Sequence, residues 1–224
     1  MRQLNKPELD LSRYQAIVFD FDGTLVPCLD LRAMKRKLIE FTIRETGIAR
    51  EAIESMMMVE FIDHTQSWLE QKGEKHNYFE RAHDLVKSIE LEAANRTELF
   101  PGTAALLNRL QTSGLRIGVV TRNCEQAVRT MYPEVKQVCA SLIARDQAKF
   151  LKPDPRHLQQ CLDELEVPAA GCLMVGDGII DVQIAKDLGA ASLAVTSGHN
   201  SASELEQAEP DWLLPHVNEL EKYF

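Results

Sequence analysis

The stretch QAIVFDFDGTLV, residues 15–26, decides the fold. It opens on an apolar run, Ala16-Ile17-Val18-Phe19. The run is short and rich in β-branched residues, which predicts a buried strand of a parallel sheet. Two carboxylates follow, Asp20 and Asp22, separated by one residue. Side chains two apart in a strand point the same way, so a strand held to its end would aim both at one site. Gly23 then frees the backbone to turn, and Thr24 adds a hydroxyl. In open α/β sheets, ligands bind at the C-terminal edge of the strands. Two anions so close repel each other unless a cation or a shared proton relieves them. Mg²⁺ is the natural cation for oxygen ligands. A DxD after a strand also occurs as a plain polar loop, so the rest of the chain has to decide.

After Val26-Pro27 the pattern changes. Leu31, Met34, Leu38 and Phe41 recur at helical spacing, and Gly47 is a stop signal. A second helix is expected over 50–71, ending near Gly73, and a third over 78–95. No strand pattern interrupts them. Residues 28–97 therefore read as an all-helical insert in a core made of residues 1–27 and 98–224.

The α/β pattern then returns. Pro101-Gly102 is a turn, Ala104–Thr112 a helix, and Leu115–Val120 a second buried strand closing on Thr121-Arg122-Asn123. A helix is expected at Glu125–Met131 and a short strand at Val138–Leu142. The string LKPDP (151–155) is a loop, and Arg156–Leu165 a helix. Gly171–Val175 is another buried strand, ending in GDGIID (176–181). Val182–Leu188 reads as a helix, Ala191–Val195 as a strand, and Trp212–Leu214 as an edge strand before a short helix. Strands alternating with helices imply a Rossmann-like α/β core, a parallel sheet with helices on both faces.

A net charge of −9 disfavours nonspecific binding to nucleic acid or to acidic membranes. No stretch approaches the roughly 18 apolar residues of a membrane span. The first fifteen residues are polar and carry no apolar signal region. The five cysteines are scattered and none forms CxxC, so neither a zinc site nor a disulfide framework is suggested. Reduced thiols fit a cytoplasmic location. Cys28 and Cys124 follow the first two site strands and read as bystander thiols rather than nucleophiles. The six histidines show no metal spacing; His199, in TSGHN, could reach the site only through its loop, and the sequence does not favour that.

Four places now carry chemistry: Asp20 with Asp22, Thr121, Lys152, and Asp177 with Asp181. Each alone has an ordinary structural reading, as a helix N-cap, a solvated lysine or a turn residue. Their joint occurrence in this order, each at a strand end or adjoining loop, resembles the four motifs of the haloacid dehalogenase superfamily in its phosphatase form. Those motifs are DFDGTL, a hydroxyl residue after the second strand, a KP lysine, and GDxxxD. The strings FPG, VVTRN, LKPDP and VTSGHNS, and the helical insert, resemble the phosphoglycolate phosphatase-like subgroup. Two positions depart from it. Residue 178 is Gly where Ser or Thr is commoner, and Arg122 stands where Asn is commoner.

The resemblance implies a Mg²⁺-dependent phosphatase for a small phosphorylated metabolite, phosphoglycolate among the candidates, working through an aspartyl phosphate. It implies Asp20 as nucleophile and Asp22 as acid and then base. Asp20, the Asp22 carbonyl, Asp177 and Asp181 would hold Mg²⁺. Thr121, Arg122 and Lys152 would bind the phosphoryl group, helped by the backbone N–H groups of Phe21, Asp22 and Arg122. The chain would be a monomer or homodimer. A hexose phosphate mutase on the same scaffold and a non-catalytic regulatory member are the alternatives. A dehalogenase is disfavoured, because its motif lacks the second Asp. In the insert, Arg32, Lys35, Arg36 and Lys37 read as a solvated face, and Met56-Met57-Met58 as helix-core packing.

Overall fold

The computed structural model describes residues 8–56, 58–73 and 77–224. The expected lead-in over residues 1–7, Met57 and the side chain of Leu31 lie outside what is described. The chain divides into two compact units, one running up to residue 28 and resuming at 94–224, the other spanning 29–93.

The strands are β1 (Ala16–Phe19), β2 (Arg116–Val120), β3 (Ser141–Ile143), β4 (Cys172–Gly176), β5 (Ala191–Val195) and β6 (Trp212–Leu214). They form one parallel sheet in the order β3-β2-β1-β4-β5-β6. The chain thus builds outward from β1 to β3, then crosses back to lay β4 on the other side of β1. The resulting switch point, between β1 and β4, is where such sheets open a crevice for a ligand. β1 and β4 are buried at every position, as their unbroken apolar runs require.

The helices are α1 (Leu31–Thr46), α2 (Met58–Gln71), α3 (Tyr78–Ala94), α4 (Thr103–Thr112), α5 (Glu125–Met131), α6 (Val135–Val138), α7 (Arg156–Leu165), α8 (Ile179–Leu188) and α9 (Ala202–Gln207). The core packs α7 residues Leu158, Cys161 and Leu162, with Ile184 of α8, against Val18, Val120 and Met174 of the sheet.

Several boundaries differ from the sequence expectation. Val138 closes α6 instead of opening β3, because one helical turn buries Val135 and Val138 together. α8 starts three residues earlier than its apolar pattern, since Asp181 reaches back to accept the Gly178 N–H at 3.1 Å. The single helix expected over 50–71 is a 3₁₀ turn at Arg50–Ala52 followed by α2. α9 was not expected, although Ser201 and Glu204 form a capping box that announces it.

In the second unit, Asp30 caps α1 by accepting the Ala33 N–H at 2.9 Å, and Gly47 ends it at φ +69°. Leu38, Phe61 and Leu69 are shut from solvent and pack together with Ile53 and Tyr78. Each such apolar side chain contributes roughly 1.5–3 kcal/mol. The Thr42 hydroxyl and the Tyr78 phenol, 2.9 Å apart, satisfy each other inside this core. Met56 and Met58 pack against it, as expected. Lys35 caps the Glu54 carbonyl at 2.7 Å, while Arg32, Arg36 and Lys37 are exposed.

Candidate active site

Sheet register brings the site together. Phe19 lies opposite Val119 of β2 and Val175 of β4, so Asp20, Thr121 and Asp177 leave the sheet at nearly one level. The Asp20 N–H still donates to the Val175 carbonyl at 2.9 Å, and the Thr121 N–H to Ile143 at 3.1 Å. β1 itself stops at Phe19, so strand alternation does not govern Asp22. A tight turn takes over, in which the Phe21 carbonyl accepts from the Leu25 and Val26 N–H groups at 2.8 and 3.2 Å. Gly23 sits in this turn at φ +79°, and a Cβ there would lie 2.6 Å from Asp177 Oδ2. Only glycine meets both demands. Thr24 is fully buried in the turn.

Asp20, Asp177 and Asp181 each bring one ligand oxygen within 4.8 Å of the others. Lys152 Nζ sits 2.8 Å from Asp20 Oδ1 and 2.8 Å from Asp181 Oδ1. Asp177 Oδ2 accepts the His199 N–H at 2.9 Å. Lys152 and Asp181 are both about 4% exposed at the side chain. At that depth, like charges about 4 Å apart cost several kcal/mol even at an effective dielectric near 20. Burial pushes the Asp177 and Asp181 carboxyls well above the ordinary range, reinforced at Asp177 by the Asp20 and Asp181 charges and at Asp181 by Asp20. Burial alone would lower the Lys152 ammonium, but Asp181 and Asp20 outweigh it and hold it above its usual value. Three carboxylates thus face one ammonium. Their oxygen-only donor set and excess negative charge fit a hard divalent cation.

Asp22 stands apart from that trio among the described residues. The Asn123 side-chain amide faces both of its carboxylate oxygens at 3.3 Å. Asn123 is itself fixed, its N–H donating to Thr121 Oγ1 at 3.1 Å and its Oδ1 accepting the Cys124 N–H at 3.0 Å. Thr121 is fully buried and its oxygen serves as acceptor in that contact, which keeps its own O–H for another partner. Arg122 is exposed, and its carbonyl accepts from Arg145 at 3.0 Å. Cys28 is pushed up to about 12 by burial and by the Asp177, Asp22 and Asp20 charges, so its thiol is no nucleophile at neutral pH.

Sequence reasoning missed Asn123 and His157. The Lys152 N–H donates to His157 Nδ1 at 3.1 Å, which leaves the ring proton on Nε2 to donate to the Ile143 carbonyl at 3.1 Å. This buried neutral ring anchors the lysine loop to the end of β3. Burial and the nearby Lys152 charge lower its pKa from 6.5 to about 4. The unfolded chain therefore takes up a proton before the folded one does. Stability conferred by the neutral ring is complete above pH 6.5 and lost as pH falls toward 4, by at most about 3 kcal/mol. Denaturant unfolding of wild type and His157→Gln from pH 7 to 4 checks this. The wild-type advantage is expected to shrink with acid, and a constant difference would refute the assignment.

Comparison with known proteins follows this geometry. Residues 17–195 match the family of haloacid dehalogenase-like hydrolases. The phosphoglycolate phosphatase of Pseudomonas syringae pv. tomato is 27% identical over 222 residues, covering 91% of this chain and 77% of that protein. A haloacid dehalogenase-like hydrolase domain-containing protein of Arabidopsis thaliana is 27% identical over 171 residues; the match covers 76% of this chain and 65% of the relative. Among solved structures, a hydrolase from Pseudomonas syringae superposes with a TM-score of 0.70 at 20% identity, over 93% of this chain and 97% of that one. None of the described helices is long and apolar enough to cross a membrane. With the match running from β1 through β5, and so across every strand that supplies a site carboxylate, the chain belongs to the haloacid dehalogenase-like hydrolases.

Proposed function

We propose that this hydrolase is a Mg²⁺-dependent phosphatase acting on a small phosphorylated metabolite through an aspartyl-phosphate intermediate. The observation that carries the reading is the separation of its two leading carboxylates. Asp20 is held by Lys152 in the buried trio, whereas Asp22 is held by Asn123 outside it. We read the first as the attacking group and the second as the group that transfers protons.

In the first transfer an Asp20 oxygen bonds to phosphorus and the ester oxygen leaves, taking a proton from Asp22. In the second, Asp22 removes a proton from water, which attacks phosphorus and releases Asp20 as a carboxylate. Thr121 donates its O–H to a phosphoryl oxygen, and Arg122 flanks the same group. Lys152 neutralises charge on Asp20 and the phosphoryl oxygens. Bound by Asp20, Asp177, Asp181 and the Asp22 carbonyl, Mg²⁺ would offset the remaining anionic charge.

A phosphate-release screen over phosphorylated metabolites, with Mg²⁺ present and absent, tests the reading. Phosphoglycolate heads the panel because of the Pseudomonas relative. Turnover is expected to vanish in chelator and return with Mg²⁺. Ca²⁺ is expected to inhibit, because its looser geometry does not enforce in-line attack. Full turnover in chelator, or none across the panel, would sink the proposal. Rapid phosphate release from a simple monoester separates it from a mutase.

The helical insert anticipated over 28–97 serves, in this reading, as the substrate-selecting cap. Within the core unit, the Phe100 N–H donates to the Leu25 carbonyl of the turn after β1 at 2.9 Å. Exchanging the insert for the matching segment of a relative is expected to redirect substrate preference while aryl phosphate hydrolysis persists. Preference that stayed with the core would refute the role.

A further inference from the structure

Asp177 has a second set of neighbours that the proposed mechanism leaves unused. Cys28 Sγ lies 4.0 Å from Asp177 Oδ2. The His199 N–H donates to that same oxygen at 2.9 Å. The Cys28 sulfur, a His199 ring nitrogen and an Asp177 oxygen all lie within 4.8 Å of one another. We propose that Cys28, Asp177 and His199 form a site for a soft divalent cation of the zinc class, and that filling it draws Asp177 away from Asp20 and Asp181 and stops the hydrolase. The inhibitory half rests on the phosphatase reading; the binding half does not.

The donor chemistry argues for this ion class. Thiolate sulfur, imidazole nitrogen and carboxylate oxygen are all zinc donors, and three protein ligands with a water in the fourth position is an arrangement zinc accepts. Mg²⁺ prefers oxygen alone and has no reason to leave the Asp20, Asp177, Asp181 trio. One carboxylate therefore divides a hard donor set from a soft one. Tetrahedral zinc holds its donors about 3.3–3.8 Å apart, judged from metal–ligand distances of about 2.0–2.3 Å. The Cys28–Asp177 spacing closes to that with a shift of a few tenths of an ångström.

The loops are already braced for it. Ser197 Oγ donates to the Gly23 carbonyl at 2.7 Å, tying the His199 loop to the turn that precedes Cys28. A Cβ at Gly23 would lie 2.7 Å from the Cys28 sulfur, and one at Gly198 would collide with the Asp177 carboxylate. Both glycines thus let backbone approach where the three ligands converge. His199 is exposed and Cys28 is half-buried, which gives an ion a route from solvent. Nearby Asp20 and Asp22 raise the local attraction for a cation. On binding, the S–H bond breaks, a sulfur–metal bond forms, and the proton passes to solvent.

Co²⁺ is the probe, titrated into phosphine-reduced protein held in saturating Mg²⁺. Wild type is expected to develop a near-ultraviolet sulfur-to-cobalt charge-transfer band. Cys28→Ser should abolish the band, and His199→Ala should weaken binding by no less than the roughly 10–100-fold typical of losing even an outer-sphere partner. In parallel, Zn²⁺ should inhibit aryl phosphate hydrolysis by wild type at concentrations that leave both variants active. No band in wild type, or an undiminished band in Cys28→Ser, overturns the site. Equal zinc sensitivity in all three proteins overturns the inhibitory half and places zinc on the carboxylate trio. A wild type without any phosphatase activity removes that half too, while the band still decides the site.

Discussion

Asp20→Asn is expected to lose turnover by roughly 10⁴–10⁶-fold, the scale seen when a covalent nucleophile is removed. The amide cannot form the acyl phosphate, and it also weakens the ion pair that Lys152 makes with Asp20 Oδ1 at 2.8 Å. Asp22→Asn should behave differently. Its backbone carbonyl is retained, and in the proposed mechanism what goes is proton transfer, typically worth about 10²–10⁴-fold. That loss should depend on the leaving group. A phenol of low pKa departs with little protonation, whereas an alkoxide needs a full proton. With an aryl phosphate, Asp22→Asn should lose less in the first transfer and accumulate phosphate on Asp20, because the attacking water still lacks its base. Asn123→Ala, which strips the amide facing both Asp22 oxygens, should show a weaker form of the same leaving-group dependence. Rapid mixing for a burst of phenol, with mass spectrometry of the trapped protein, reads all three variants. A burst from Asp20→Asn, or phosphate on Asp22, would mean the two roles are reversed.

The core of this arrangement was legible because it is local. An apolar run followed at once by carboxylates announces both a buried strand and a ligand edge, and β1, β2, β4 and β5 fall close to where their apolar runs put them. The order of strands was not legible, since pairing of β1 with both β2 and β4 depends on crossovers that no short window contains. The same limit hid the supporting residues. Asn123 meets Asp22 across 101 positions, and Cys28 meets Asp177 across 149. His157 looked like one more polar residue in a helix, but its ring is fully buried and satisfied at both nitrogens by backbone groups. Alternation along β1 was carried one step too far. Asp22 reaches its place through the turn built on the Phe21 carbonyl, not through strand geometry. The 3₁₀ turn at Arg50–Ala52 carries neither Gly nor Pro, so nothing local marked that break.

Lys152→Ala is expected to damage both activity and stability, and the two losses have different causes. In the proposed mechanism the ammonium stabilises charge on the phosphoryl group, and removing one such preorganised donor costs about 10²–10³-fold in kcat. In the fold it is the cation the trio faces, 5% exposed and paired with Asp20 and Asp181. Breaking a buried pair from one side costs about 3–5 kcal/mol, because the partner charge is left uncompensated. Here two partners are stranded beside a third carboxylate, so the upper end of that range is expected in metal-free protein. A divalent cation bound by the trio would supply what the lysine did. Mg²⁺ should therefore raise the unfolding temperature of Lys152→Ala by more than it raises that of wild type, while kcat stays low. Lys152→Met, which keeps the stem but not the charge, should reproduce the pattern and assign it to the ammonium rather than to packing. Thermal unfolding with and without Mg²⁺, read beside phosphate release, makes the comparison. If Lys152→Ala were as stable as wild type without metal, the three carboxylates would not be repelling one another, and the case for a cation between them would fall with it.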